Sequence, residues 1–478
     1  MTTRIEKDCL GEMTLEDTHY WGIQTERMRH VSGVGALPLM QYPDLIRALA
    51  EIKKAAARAN AEIGVLEASI AEAIVGAAEE VIAGRWDSEF PLDIWQGGGY
   101  TCINMNVNEV IANRANERLT GHKGQDMVHP NTHVNKAQST NDTIPSATHL
   151  AIAPRLTRII AGVEALEQAF TDKAHEFSDV VKVGRTCWQD ALPVTLGQEF
   201  EGYANLMHRL GTQLKALRPG CFTIVMGGSA VGTGLGADPG YAEALYRYLS
   251  EQYGETVRPM ASLFDGFQNP DFVVSVSAAL KTLAMSLSKM AKDLRLMSSG
   301  PRAGWQEITL PSLSPGSSIM PGKINPIVPE MVIQVAHQVA GNDVAIAMAY
   351  DEGELDLNVW DATFYKCLFE NLQLLEGTLT LFRRDCVEGI QANRARCQTE
   401  AEGSIALSTV VAAALDYPLG VNVAHYCEAH GVTVKEAVVA MGILTPEEAQ
   451  TLIDPRLMTD PKAMAEAIAT FRRAHHAK

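Results

Sequence analysis

The chain has 478 residues, with 40 Lys and Arg against 57 Asp and Glu, a formal net charge of −17. That length is enough for a large core and two or three domains, and the acidity argues against nucleic acid or an anionic membrane as partner. Eight cysteines (Cys9, Cys102, Cys187, Cys221, Cys367, Cys386, Cys397 and Cys427) are scattered without a C-x-x-C pair. That pattern suits reduced thiols in a cytoplasmic protein better than a disulfide framework or a zinc site.

The N-terminus, Met-Thr-Thr-Arg-Ile-Glu-Lys-Asp, is polar and lacks an apolar signal region. No apolar run approaches the roughly 20 residues of a membrane span. Residues 1–43 are broken into short elements by glycines and prolines. From Pro43 to Gly84, apolar residues recur at helical spacing (Ile46, Leu49, Ile52, Ala56), predicting two helices. Residues 95–106 read as a glycine turn entering a helix that carries Asn108, Glu109 and Asn113. A second polar loop is expected at 121–146, then helical periodicity from 155 until Gly184 and a helix from Pro193 to about Arg218. A glycine-rich turn at 227–240 precedes a helix from Phe272 to Met297, and no proline intervenes between Pro329 and Pro418. Long proline-free runs of this kind indicate a bundle of long helices. No alternating strand pattern competes over a comparable length. The expected fold is all-α, divided into an N-terminal domain 1–139, a central long-helix domain 140–393 and a small C-terminal helical domain 394–478.

One stretch interrupts the helices. Residues 314–330 contain Pro315, Pro321, Pro326 and Pro329 with Gly316 and Gly322, which exclude a regular helix or central strand there. The same loop carries the hydroxyls of Ser317 and Ser318, the cation of Lys323 and the amide of Asn325. Such a loop brings backbone N–H groups toward a ligand, and Lys and Asn add donors for a carboxylate.

Three further clusters share small hydroxyls and amides: Thr101 with Asn104 and Asn106; Ser139, Thr140 and Asn141; and Thr186 within Gly184-Arg-Thr-Cys-Trp-Gln-Asp190. Each alone reads as a helix cap or turn. Together with the loop they supply the neutral donors and single cation that hold one or two carboxylates without a metal. The glycines at 227–236 lack a nucleotide-binding register and read as a helix-breaking turn. Pro130 between His129 and His133 disfavours the shared helix face a metal pair needs. No Ala-Ser-Gly triplet and no recognisable pyridoxal-phosphate lysine is present, so any chemistry must use side chains and backbone alone.

The order G-S-S-x-M-P-x-K-x-N-P at 316–326 resembles the signature loop of the aspartase/fumarase superfamily. Arg4-Ile-Glu-Lys-Asp8, N-M-N-x-N-E at 104–109, H-V-N-K-x-Q-S-T-N-D at 133–142, G-R-T at 184–186 and S-S-G-P-R-A-G at 298–304 extend the resemblance over nearly the whole chain. It implies three mostly helical domains, a homotetramer whose central helices form one bundle, and composite active sites built from three chains. By position, Ser317 corresponds to the general base that removes a proton beside a carboxylate, giving an aci-carboxylate. Thr101, Ser139, Thr140, Ser318, Lys323 and Asn325 match carboxylate-holding positions, and Asn141 and Thr186 match positions near the leaving group. No cofactor and no protein-bound metal is implied; activation by a divalent cation stays an open alternative.

Gln138-Ser-Thr-Asn-Asp142 and Asn325-Pro-Ile-Val-Pro-Glu330 resemble the aspartases more than the fumarases, so elimination of ammonia or an amine from aspartate leads and fumarate hydration is second. His129-Pro-Asn-Thr132 resembles the fumarases' peripheral anion site, with Thr132 where an acid is expected. Four departures bear on specificity: Cys187 stands where His or Gln follows G-R-T, Tyr100 where Gly precedes the Thr, and the acids Glu354 and Asp356 where aspartases tend to have Gln. Tyr100 is expected to reshape the pocket and add a donor. With nearby Trp and acids it suggests a substituted substrate such as an ergothioneine-like betaine. An inactive structural homologue is the non-enzyme alternative.

Overall fold

Helices carry this fold because apolar residues recur every three and four positions. Ile46, Leu49, Ile52 and Ala56 are all fully buried along helix Pro43–Glu62, which opens on a proline where the missing N–H costs nothing. Helix Ala68–Ile82 packs against it. The longer helices are Thr140–Glu176, Leu196–Leu217, Asp271–Met297, Ile327–Asp351 and Asp361–Asp385. The structure, a computed structural model, describes residues 2–31 and 33–476; Met1, Ser32 and residues 477–478 of the expected terminal domains lie outside the described residues.

The chain divides into two compact units, one of Met1–Ala161, Thr212–Met285 and Val335–Gly377, the other of Gly162–Gly211, Ser286–Gln334 and Thr378–Lys478. Helices Thr140–Glu176 and Arg394–Gly403 begin at 140 and 394, and both units draw on the expected central range 140–393. In the second unit the C-terminal helices enclose a core that includes Leu407, Val410, Val423, Val434, Val438 and Leu452. Helices Val434–Ala440 and Pro446–Leu452 each open on a reciprocal capping box, Thr433 with Glu436 and Thr445 with Glu448.

Three local expectations are corrected. The polar loop ending near 146 is shorter than expected, because helix Thr140–Glu176 begins at Thr140 and runs through Pro145 and Pro154. Burial of Ile144, Ala147, Leu150, Ala151 and Leu156 outweighs the roughly 3 kcal/mol that an interior proline costs. Helical structure does not reach Gly184: strands Val181–Thr186 and Gln189–Thr195 form an antiparallel hairpin. Its turn residues, Cys187 and Trp188, have φ of 53° and 60°. Both are left-handed, as a two-residue hairpin turn requires, yet neither is the Gly or Asn that signals such a turn. Third, helix Asp271–Met297 is long and apolar enough to cross a membrane by length and composition, with a mean hydropathy of 1.3 in its most apolar window. Its buried Val276, Leu280, Leu283, Leu287 and Leu294 follow the three- and four-residue spacing of a helix packed within protein.

Candidate active site

The polar clusters assemble locally in each unit. In the first, the turn through Gly98, Gly99 and Tyr100, all with positive φ, feeds helix Thr101–Thr120. Thr101 is exposed, its hydroxyl 3.0 Å from the Gly98 carbonyl. One turn on, buried Asn104 donates to Thr140 Oγ1 at 3.1 Å and to Asn135 Oδ1 at 3.2 Å. Ser139 Oγ accepts the Asn141 N–H at 3.2 Å, and Asn141 Nδ2 donates to the Ala230 carbonyl at 2.8 Å. Thr140 and Asn141 are therefore held from two sides by groups distant in sequence.

Asp142 is the anchor of that arrangement. Its fully buried carboxylate accepts N–H groups from Ser139 (3.0 Å), Gly227 (3.2 Å) and Ser229 (3.0 Å), which pins the glycine-rich turn beside the Ser139 loop. Burial pushes its pKa up to about 6, against the pull of these N–H donors. The 227–236 glycines, which read in sequence as a helix-breaking turn, thus belong to this arrangement, and Lys53 and Asn135, which the sequence does not mark as site residues, stand behind the same loop. The signal that could have found them is local only for Asn135, a polar residue between His133 and Gln138.

In the second unit the loop expected over 314–330 ends at Pro326, because Pro329 falls in the first turn of helix Ile327–Asp351, where its missing N–H costs nothing; residues 314–326 are largely exposed but tied. Gly316 donates its N–H to the Lys323 carbonyl at 2.7 Å, and Asn325 Nδ2 donates to the Gly316 carbonyl at 2.9 Å. A Cβ on Gly316 would stand 2.6 Å from the Lys323 carbonyl oxygen, so only glycine lets the two limbs meet. Ser317 Oγ accepts from the N–H groups of Ile319 (3.2 Å) and Met320 (2.9 Å). Ser318 is exposed. Lys323 Nζ donates to Asn325 Oδ1, a neutral partner, so both ends of the Asn325 amide are engaged in bracing the loop and presenting the cation. Thr186 and Cys187 sit exposed at the hairpin tip of the same unit.

The specificity candidates divide. Tyr100 has no exposed surface, and its hydroxyl donates to the Ile94 carbonyl at 2.7 Å. This corrects the expectation of a new pocket donor: the phenol is spent on the backbone, and a covered ring offers no face to a quaternary ammonium. Glu354 and Asp356 are exposed in the turn between helices Ile327–Asp351 and Asp361–Asp385, around Leu355, whose φ is 23°. His129 and His133 act as turn caps. His129 Nδ1 accepts the N–H groups of Asn131 (3.1 Å) and Thr132 (3.3 Å), and His133 Nδ1 accepts that of His129 at 2.9 Å. Among the described residues no group of three or more His, Cys, Asp and Glu is arranged to hold a metal ion.

A family model described as Lyase matches residues 11–341. The aspartate ammonia-lyase of Bacillus subtilis (strain 168) is 42% identical over 460 residues, 96% of this chain and 96% of that protein. The class II fumarate hydratase of Bordetella parapertussis is 40% identical over 464 residues, 97% of this chain and 100% of that protein. Among solved structures, the fumarate lyase:delta crystallin of Brucella melitensis bound to cobalt matches with a TM-score of 0.93 at 40% identity, covering 96% of this chain and 100% of that one. The class II fumarase of Schistosoma mansoni matches with a TM-score of 0.92 at 33% identity, with the same coverage of 96% and 100%.

Proposed function

The chain belongs to the aspartase/fumarase family of lyases, and on that premise we propose that it eliminates ammonia or an amine from aspartate or an aspartate-like amino acid, leaving a fumarate-type product. The observation that carries this reading is Ser317 Oγ receiving the Ile319 and Met320 N–H groups at 3.2 and 2.9 Å. Donors aimed at a hydroxyl oxygen stabilise its alkoxide and lower its pKa, which a serine base requires. In the proposed reaction Ser317 takes the proton from the carbon beside a carboxylate. The released electron pair moves into that carboxylate, giving an aci-carboxylate. Its collapse forms the C=C bond and expels the amine with the C–N electron pair.

Stabilising the doubly charged intermediate is the main task, and one aimed donor is worth about 3–4 kcal/mol. In the proposal Thr101, Ser139, Thr140, Ser318 and Lys323 hold carboxylates, Asn325 braces Lys323, and Asn141 and Thr186 stand near the leaving group. Lys323 suits an anion because its own partner is a neutral amide. Amine loss is placed ahead of hydration because of the Gln138-Ser-Thr-Asn-Asp142 and Val328-Pro329-Glu330 sequences. Hydration of fumarate is the second reading, supported by the 40% identity to a class II fumarate hydratase. The three-domain division, a homotetramer with composite sites and a cytoplasmic location belong to the same proposal; exposed Val344 and Met348 on helix Ile327–Asp351 are side chains that assembly would cover.

Purified protein given aspartate, substituted aspartates and malate in turn, with fumarate formation followed by absorbance, tests the reading. Amine-dependent formation of fumarate supports it. Dehydration of malate without amine release moves the assignment to a hydratase, and no turnover of any of them leaves the structural homologue.

A further inference from the structure

Lys53 lies on helix Pro43–Glu62, outside every motif that the sequence singles out, and is fully buried. Its ammonium donates to two neutral oxygens, Asn135 Oδ1 at 3.0 Å and Gln138 Oε1 at 2.8 Å. A buried cation ordinarily sits against a carboxylate, because desolvating a lone charge is costly. The charged group acting on Lys53 is Asp142, from the first turn of helix Thr140–Glu176, and that carboxylate is already engaged by the N–H groups of Ser139, Gly227 and Ser229. Burial pushes the Lys53 ammonium down to about 7.

Both amides lead to the proposed carboxylate loop. Gln138 immediately precedes Ser139. Asn135 Oδ1 also accepts from Asn104, whose amide nitrogen donates to Thr140 Oγ1 at 3.1 Å. We infer that Lys53 is a positioning residue for this loop: a buried ammonium that orients Ser139 and Thr140 through Gln138 and Asn135, and whose charge is balanced by the carboxylate bound there. The inference rests on the reading of that loop as an anion site.

Charging of Lys53 and binding of the anion then promote each other, because the coupling is reciprocal. Just above pH 7 a substantial fraction of Lys53 is neutral in the empty protein, and in this proposal a bound dicarboxylate draws a proton onto it. Affinity is full where Lys53 is already charged and falls as the pH rises through about 7.

The test is calorimetric titration of the whole protein with succinate, which binds as a dicarboxylate but has no amine to lose. It is run just above pH 7 in two buffers of different ionisation enthalpy, beside steady-state kinetics. Wild type is expected to take up a proton on binding. K53M is expected to lose that uptake and to raise KM for aspartate about tenfold or more, with a smaller fall in kcat; K53R restores part of the affinity. Succinate binding without proton uptake in wild type, or uptake that persists in K53M, overturns the role of Lys53. Should K53M fail to fold, K53R, a cation that does not titrate near pH 7, decides: it is expected to bind succinate without proton uptake, and uptake that persists in it overturns the role of Lys53. Uptake in a protein that turns over neither aspartate nor malate upholds Lys53 and removes the lyase reading. Turnover with succinate bound and no uptake removes Lys53 alone, and neither binding nor turnover removes both.

Discussion

Asn104 donates its amide to Thr140 Oγ1 across 3.1 Å, and this bond sets the direction of the threonine hydroxyl. An oxygen that accepts from Asn104 leaves its own hydrogen for another acceptor, so Thr140 is prepared to donate to an anion. N104A removes that preparation without touching the anion. It is expected to raise KM for the anionic substrate about five- to tenfold, roughly 1–1.5 kcal/mol for the lost bond to Thr140, with a smaller change in kcat; the bond to Asn135 is lost with it. Steady-state kinetics on the variant check this; an unchanged KM contradicts the relay.

Replacement of Ser317 separates chemistry from stability. Among the described residues its hydroxyl bonds to N–H groups of its own loop, Ile319 and Met320, so S317A should leave the thermal unfolding midpoint within experimental scatter. Loss of the base should lower kcat about 10²–10⁴-fold, the usual contribution of general base catalysis. Retained turnover removes Ser317 from the mechanism.

Tyr100 is expected to act on stability rather than substrate choice. Y100F loses only the hydrogen bond to the Ile94 carbonyl and should cost about 1–2 kcal/mol. Y100G gains about 1 kcal/mol from relief of the left-handed backbone, φ 63°. It also leaves a cavity the size of an aromatic ring, for a net loss of about 2–4 kcal/mol. Denaturant unfolding measures both. A changed preference among substituted aspartates in Y100F, with stability unaltered, contradicts the buried assignment.

His149 makes the first unit sensitive to acid. The ring is buried against Phe272, its centroid 4.6 Å from the phenyl, and Nδ1–H donates to the Gly220 carbonyl at 3.1 Å. Burial pushes its pKa down to about 4 from an ordinary value of 6.5. The unfolded chain therefore binds the extra proton first, and stability is lost as the pH falls from 6.5 toward 4, by about 3 kcal/mol in the limit. H149Q, which keeps a side-chain donor but does not titrate, should flatten the acid side of a stability–pH curve. An unaltered acid limb rules His149 out as its source.

Glu307 holds the hairpin that ends at Thr186. Its fully buried carboxylate lies 2.6 Å from Arg185 and 3.4 Å from Lys182, and the Arg185 guanidinium stacks 3.8 Å over Trp305. In E307Q the Lys182 ammonium keeps Glu199 at 2.7 Å and Arg185 keeps Glu400 at 3.6 Å, so the loss is that of charge-assisted bonds to one buried carboxylate, about 1.5–3 kcal/mol. Denaturant midpoints read this directly; a loss under about 1 kcal/mol means the cluster relaxes into water.

The helices and the proline- and glycine-rich loop were legible because their signals are local. Apolar residues at three- and four-residue spacing determine a buried stripe wherever the helix packs, and Ile46, Leu49, Ile52 and Ala56 are buried as that spacing requires. Prolines and glycines likewise determine that 314–326 is irregular, although Pro329, read as part of the same loop, opens helix Ile327–Asp351 instead, and the family resemblance is carried by the order of residues at 316–326. Tertiary structure alone decided which way side chains point and what they meet. Lys53 and Asn135 stand 82 positions apart, Asp142 and Ser229 stand 87 apart, and no periodicity relates either pair. Tyr100 reads as a pocket phenol in sequence because direction at a left-handed residue depends on the surrounding core, which here turns it to Ile94. The Cys187-Trp188 turn is decided the same way: antiparallel pairing of Val181–Thr186 with Gln189–Thr195 holds a conformation that the two residues disfavour by themselves.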